Sequence, residues 1–513
     1  MLPTAPTTRN HKPFAPPPWH DDHPQRLRLG DRLPPDHLAR RIDRLVDALD
    51  LTELYRAYPG TGSPPLPPDL LLKVVLYETH SGHHAPADWH RHAHDCEPVR
   101  WLARGLEPAR CRWYAFRDRL APLLDGLNRQ VLRLAQDLRL TPGTRGALDG
   151  SAVAARASRR RLLNEATLGQ RLAQLEQACA ADGQGEAPAA RPYWMAKTAR
   201  GRAGQLGRYR QAQGRMAQAQ QRNRQKRASK RKAADKVVVS PSEPEAALGL
   251  DKEKVYRPLY NVQYVDDLDS PLVLAYEVFA QPNDAGTLGP MLGRAEALLG
   301  RPLEVALADA GYAGGADLAA AQAAQVTVYA PWQANDASGR KRAGQAPRQL
   351  PKESFRWLPE EGRYECPQGH PLELVGAKRD KRSGVEAVVQ YQYRCDPEHC
   401  RACPLRGSCT PNPSAGRTVT RGEHEGLIEG LRARMATAEA KALYRLRRQT
   451  VELGFADLKE HRKLRRFAGW GRARARAQVG LVVLAHNGLE VLRAREAAQG
   501  DTSHTITPEE TST

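Results

Sequence analysis

No run of about 18 or more apolar residues interrupts the 513-residue chain and no charged-then-apolar leader opens it, so neither a membrane span nor an export signal is expected. Acidic residues are in short supply: 58 Asp and Glu face 78 Lys and Arg, a formal net charge of +20 with a pI near 9.8. Such an imbalance favours a polyanionic partner, and nucleic acid is the leading candidate. The chain therefore reads as soluble and cytoplasmic, nucleoid-associated through contact with the chromosome. Cysteines are few and uneven: Cys96, Cys111 and Cys179 are scattered, and five more crowd between Cys366 and Cys409. A chain of this length can bury a sizeable core in two or three domains without disulfide staples. Clustered thiols without an export signal argue for metal before disulfides.

Residues 1–24 are Pro-rich and expected to be disordered. Residues 25–142 read as a helical N-terminal domain. Leu38, Ile42, Leu45, Val46 and Leu49 have the spacing of one helix face within 34–58, and a second helix opens after the prolines of PPLPPDLLLKVV. Further helices are expected from Trp89 to Leu102 and from Arg112 to Leu140. The many arginines suit either a helix-turn-helix-like DNA reader or a helical bundle with a basic surface.

From residue 143 the pattern changes. GALDGSAV reads as a short apolar strand ending at Asp149, followed by a basic insertion over 155–250. Between Arg191 and Lys236 fifteen Lys or Arg accompany a single acidic residue, Asp235. Such a run is predicted not to bury itself, and to be either disordered or ordered on a phosphate backbone; a solvated charged helix is the plain alternative. Strands then return at 260–267, 272–281, 304–311 and 326–331. A helix capped by Asn283 or Asp284 lies between the second and third. Two hairpin strands, a helix and another strand predict an α/β mixed sheet covered by helices, the first part of a core spanning 143–334. A Cys-rich insertion, 335–423, interrupts it. Helices resume over 424–498, and 499–513 reads as a loose tail.

Asp149 and Asp309 each follow an apolar strand and precede a small residue, in LDGS and ADAGY. Either one alone reads equally as a turn residue. Glu452 lies in the helical sequence KALYRLRRQTVELGFADLKEHRKLRRF, where Tyr444, Arg448, Glu452, Phe455 and Lys459 are spaced to form one stripe. A carboxylate on that stripe can complete a metal site while Arg448 and Lys459 hold phosphates; ordinary surface ion pairs are the alternative.

These motifs, in their order, resemble the DDE transposases of bacterial insertion sequences, whose catalytic core is ribonuclease H-like. The resemblance runs through LPPDHLARRIDRLVDALDLTELY, WLARGLEPARCRWYAFRDRL, LDGS, YNVQYVDD, QPNDAGTLGPML, LADAGY and LYRLRRQTVELGFADLKEHRKLRRF, covering most of residues 25–495. It implies that Asp149, Asp309 and Glu452 hold two Mg²⁺ (or Mn²⁺) ions. It also implies cleavage at the element ends and transfer of the freed strands to target DNA, by a homodimer bound to double-stranded DNA. A nuclease of the same fold, or a catalytically decayed DNA-binding protein, would share most of these features. The family pattern Y-x2-R-x3-E-x6-K is met with one departure: Tyr444 sets Arg447 at its spacing, whereas Glu452 points back to Arg448. Helix geometry favours Arg448 as the neighbour of Glu452.

Beyond the glutamate, Lys459 to Arg476 adds eight basic residues around Trp470. Lys459, Arg465, Arg466 and Trp470, with Tyr444, Arg447 and Arg448, are the expected DNA contacts; Trp470 could stack on a base or pack into the core. Cys366, Cys400, Cys403 and Cys409 form a candidate structural Zn²⁺ site, with Cys395 or His370 as substitute ligands. His80, His83, His84, His90, His92 and His94 crowd one segment, but no carboxylate or thiol framework recurs around them in sequence, so solvated helix and loop histidines are expected. The apolar segment VGLVVLAHNGLEVL is expected under the sheet, where Asn487 would need a hydrogen-bond partner.

Overall fold

The computed structural model describes residues 13–58, 63–186, 188, 191–226, 228–251, 253–331, 350–380 and 388–502. The expectations for residues 1–12, for Arg227, for the start of the Cys-rich segment at 335–349 and for the tail beyond 502 lie outside them. The protein is a mixed α/β chain with a helical N-terminal region, and it divides into two compact units. Residues 1–283, 294–303 and 449–513 form the first, and residues 284–293 and 304–448 the second.

In the first unit the helices are α1 (Pro24–Asp31), α2 (Leu38–Asp47), α3 (Thr52–Arg56), α4 (Pro68–His80), α5 (Pro86–Asp95), α6 (Glu97–Leu102), α7 (Arg110–Leu120) and α8 (Leu124–Asp137). The expected single helix over 34–58 is therefore two, broken at Asp50, whose carboxylate accepts the Thr52 N–H at 2.9 Å. Ile42, Leu45, Val46, Leu72, Val75, Trp89, Trp113 and Val131 share one core. Residues 13–24 are held rather than loose. Phe14 packs edge-on against Tyr55 at 5.1 Å, and the Trp19 N–H donates to Arg104 O at 3.0 Å.

The strand β1 (Arg145–Ala154) does not end at Asp149 as expected. Its partner β3 is long enough to pair every residue from Gly146 to Ala154, so Gly150, Ser151 and Ala152 continue the ladder and Asp149 sits mid-strand. The basic insertion also departs from expectation. Helices α9 (Glu165–Gly183) and α10 (Ala199–Arg224) pack on each other and bury Leu168, Leu172, Leu175, Tyr209, Ala212 and Met216. The buried residues of α10 are Arg202, Gln205, Tyr209, Ala212, Met216, Gln220 and Asn223, three or four apart, which is the seam of a helical hairpin. Buried Arg202 is neutralised by Asp182, its Nε donating to the carboxylate at 2.7 Å. The run does bury itself, because uncharged residues and the neutralised Arg202 fall on one side of α10 while its other charges fall on the other.

After β2 (Ala247–Leu250), strand β3 (Tyr256–Asp267) pairs antiparallel with both β2 and β1, and β4 (Val273–Phe279) pairs antiparallel with β3. The next helix, α11 (Leu288–Leu299), is not begun by Asn283 or Asp284. The Asp317 carboxylate takes that role, accepting the N–H groups of Gly286 at 2.9 Å and Leu288 at 3.2 Å. Burial pushes the Asp317 carboxyl up to about 6, while those two bonds oppose the shift.

In the second unit, β5 (Val305–Leu307), α12 (Gly315–Ala323) and β6 (Thr327–Tyr329) make a parallel crossover. The Cys-rich segment contains its own antiparallel sheet, β7 (Arg356–Leu358), β8 (Arg363–Glu365), β9 (Pro371–Asp380), β10 (Val388–Cys395) and β11 (Thr418–Gly422), with α13 (Pro397–Ala402) and α14 (Arg406–Cys409). Helix α15 (Glu425–Ala436) follows. Helix α16 (Ala438–Ala456) then passes into a π-helical turn, Asp457–His461, closed by Arg462 N–H to Asp457 O at 2.8 Å. The last helix, α17 (Arg472–Thr502), packs against α8, α4, α2 and β4. Asn487 finds its partner there: its amide exchanges two bonds with the Val273 backbone, at 2.9 and 2.8 Å, completing the end of β4 as a neighbouring strand would.

Candidate active site

Side chains alternate across a strand, so Asp149 and Ser151 share one face of β1. Asp149 lies directly opposite Tyr264, and Ala147 opposite Asp266, so these β3 side chains stand on the same face. The C-terminal half of α16 lies across it. Phe455 stacks flat on Tyr264, with ring centroids 5.0 Å apart and planes at 8°. Lys459 Nζ donates to Ser151 Oγ at 2.5 Å and to Ala152 O at 3.1 Å. Gly454 packs so tightly on β3 that a Cβ there would lie 2.6 Å from Asp266 Oδ1. Val451, Phe455 and Leu458 bury the underside of the helix. Glu452, three residues before Phe455, is exposed beside them.

The first unit thus brings the helix of Glu452, with Lys459, onto the face of Asp149. Asp266 belongs to the same face and is 4% exposed. In the sequence Asp266 stands only near the end of the strand expected over 260–267, beside the turn-forming residues Asp267 to Ser270. Its position on the inward face follows only from the register with β1.

Asp309 belongs to the second unit, two residues past the end of β5, where it caps a short 3₁₀ turn by accepting the Gly311 N–H at 2.6 Å. Asp284 is its neighbour: a Cβ on Gly311 would lie 2.8 Å from Asp309 Oδ1 and 3.6 Å from Asp284 Cβ. The sequence offers Asn283 or Asp284 only as a helix cap, and the approach of Asp284 to Asp309 depends on the fold of the second unit. On α16, Tyr444 and Arg447 are partly buried and Arg448 is exposed.

The segment after the π turn continues the basic surface. Phe467 N–H donates to Ala154 O at 2.9 Å, so the chain runs alongside the end of β1. Arg465 and Arg466 point outward between buried Leu464 and Phe467. Arg465 is paired with Glu460. Trp470 is 50% exposed, with Arg156 stacked over its ring at 4.6 Å and its indole N–H donating to Arg156 O at 3.2 Å. It is a surface platform and not a core residue. Gly471 N–H bonds to the buried Glu243 carboxylate at 2.9 Å and fixes this turn. Burial pushes Glu243 up to about 7 against that bond.

In the second unit, Cys366, Cys395, Cys400, Cys403 and Cys409 line one cavity with His370 and His399. All are free thiols. Cys366 sits in a tight turn whose Gln368 N–H points at its sulfur at 3.4 Å, and Arg417 N–H approaches Cys400 Sγ at the same distance. The donor set suits Zn²⁺. No three of these sulfur and imidazole atoms lie within 4.8 Å of one another, so an ion would have to draw the cavity closed.

Two family models match the chain. Residues 27–110 match the one described as "Transposase domain (DUF772)", and residues 365–492 match "Transposase DDE domain". The second match takes in the Cys-lined cavity, Glu452 and Lys459. Together the matches support an insertion-sequence transposase of the DDE class. No curated protein and no solved structure matches the chain. No helix among the described residues is long and apolar enough to cross a membrane.

Proposed function

With the two transposase matches as premise, we propose that the chain binds the ends of a bacterial insertion sequence, cleaves the DNA strands there and joins them to target DNA. The observation that carries this reading is the laying of α16 on β1: Phe455 stacks on the ladder partner of Asp149 and Lys459 grips Ser151, so the helix that carries Glu452 crosses the face of Asp149. With Asp309, these carboxylates offer the all-oxygen donor set that Mg²⁺ or Mn²⁺ takes, within a ribonuclease H-like core. Two such ions, when bound, polarise the phosphoryl oxygen, activate the attacking water or 3′-hydroxyl and stabilise the leaving oxyanion.

The chain's own groups do the rest. Lys459, anchored to β1, holds a positive charge beside the carboxylates and offsets the phosphate that enters. Tyr444, Arg447 and Arg448, before Glu452 on α16, and Arg465, Arg466 and Trp470, beyond the π turn, hold the DNA backbone and an unpaired base. The thiol cavity binds a structural Zn²⁺ that stiffens the segment leading to α15 and α16. Two ends are processed together by a homodimer on double-stranded DNA.

The test is incubation of the full chain with labelled element-end DNA, a target plasmid and Mg²⁺. Joined products are expected. Cleavage without joining would make it a nuclease, and binding without cleavage a DNA-binding protein. Asp309→Ala that left Mg²⁺-dependent cleavage intact would refute the metal assignment.

A further inference from the structure

None of the six histidines between His80 and His94 takes part in the strand chemistry proposed above. Three have ordinary partners for their rings, and His80 is bonded through its backbone carbonyl. His84 Nε2 donates to Arg462 O at 2.6 Å, and Arg462 in turn donates to His80 O at 2.9 Å. The His90 ring bonds Pro108 O at 3.1 Å, and His94 faces Glu107. His83 and His92 differ, because both direct Nδ1 at the same oxygen of Glu78.

Local structure dictates the arrangement. Helix α4 ends in a reversal in which Gly82 N–H bonds Thr79 O and His83 N–H bonds Glu78 O at 2.8 Å, with Gly82 at φ +85°. That left-handed turn folds His83 back over the residue five positions earlier. The Trp89 indole holds it there by donating to His83 O at 2.8 Å. His92, one turn beyond Trp89 on α5, arrives from the other side. Its Nδ1 is 2.8 Å from Glu78 Oε2 and that of His83 is 3.1 Å away, with the two rings nearly perpendicular at 4.6 Å.

Glu78 is 1% exposed, and its second oxygen, Oε1, is buried with no hydrogen-bond partner. A buried carboxylate with one orphaned oxygen is costly, and a cation between it and two imidazoles offsets that cost by balancing its charge. The three ligand atoms lie within 4.8 Å of one another, the one such set of His, Cys, Asp or Glu among the described residues. A tetrahedral ion with bonds of about 2.0 Å needs its ligands roughly 3.3 Å apart, a small opening of the present spacing. His83 is 40% exposed although its Nδ1 is buried, so an ion reaches the site by way of the His83 ring edge.

We propose that Glu78, His83 and His92 form a second metal site, for a divalent transition ion of the zinc class. It is separate from the three carboxylates and from the thiol cavity. An ion there ties the end of α4 to α5 and stiffens the turn against which Lys463 packs, since a Cβ on Gly82 would lie 2.9 Å from that side chain.

The test uses the full chain and Zn²⁺ alone, with bound metal counted after equilibrium dialysis. A Cys400→Ser/Cys403→Ser background silences the thiol cavity. That background is expected to retain one equivalent of zinc, and adding His83→Ala/His92→Ala to remove it. With Co²⁺ the retained site should show d–d absorption without a thiolate charge-transfer band. Equal metal content with and without the two histidines, or no zinc in the cysteine background, would overturn the proposal. If circular dichroism shows the double histidine variant unfolded, the near-isosteric Glu78→Gln decides. A roughly tenfold or greater loss of zinc affinity supports the site, and unchanged affinity refutes it.

Discussion

Gly454→Ala separates the position of α16 from its stability. Gly454 is helical without a positive φ, so alanine suits the backbone and by propensity alone should add about 1 kcal/mol. The added methyl would meet all three carboxylate atoms of Asp266, at 2.6, 3.2 and 3.2 Å. Rotating the carboxylate does not clear the clash, and Asp266 is buried. Relief needs a shift of about 0.8 Å to reach ordinary contact, and overpacking of this kind costs ~1–3 kcal/mol. The net stability change is therefore small, ~0–2 kcal/mol. The displaced helix carries Glu452, and a misplacement near 1 Å can cost on the order of 100-fold in rate. Single-turnover cleavage of end DNA in Mg²⁺, measured beside thermal unfolding, should show the rate falling far more than stability. A variant that melts higher than the parent and cleaves at the parental rate would refute the placement of α16 on β3.

Other expectations follow from single contacts. Lys459→Met should lower cleavage at least tenfold and destabilise by ~1–3 kcal/mol, because it removes bonds to Ser151 and Ala152; unfolding and cleavage assays report each effect. Met216→Asp should open the α9/α10 hairpin, placing an unpaired charge in its seam, and limited proteolysis should then cut between 184 and 236. At Asp125, burial raises the carboxyl pKa, but bonds and charge from Arg294 and Arg476 overcome it and hold the group below the usual carboxylate range. The stability it contributes is present above its unfolded pKa and is lost as pH falls through the folded value. Asp125→Asn should thus destabilise at pH 7, by ~1–3 kcal/mol, and flatten the acid limb of the stability curve followed by chemical denaturation.

Sequence periodicity alone reveals the helical N-terminal region, the strands around Asp149 and Asp309, and a charged helix carrying Glu452, because apolar spacing reports local geometry directly. It fails where distant partners decide. Asp149 looks like a strand end until β3 supplies pairing through Ala154. The stripe from Tyr444 to Lys459 assumes a regular helix, whereas a π turn begins at Asp457 and changes the direction of Lys459. The basic insertion looks unable to fold because its seam mixes Tyr209, Ala212 and Met216 with Arg202, Gln205, Gln220 and Asn223, and becomes a core only when α9 covers it.

The histidine segment shows the same division. Its composition was plain, but the carboxylate that organises it lies at Glu78, upstream of all six. Chain order placed Glu78 inside an apolar helix; the Gly82 reversal and the packing of α5 on α4 placed it between two imidazoles. Residue types and their spacing therefore determined which chemistries this protein can perform. Tertiary structure decided which side chains meet, because a face shared by β1, β3 and α16 arises from long-range pairing that no local window contains.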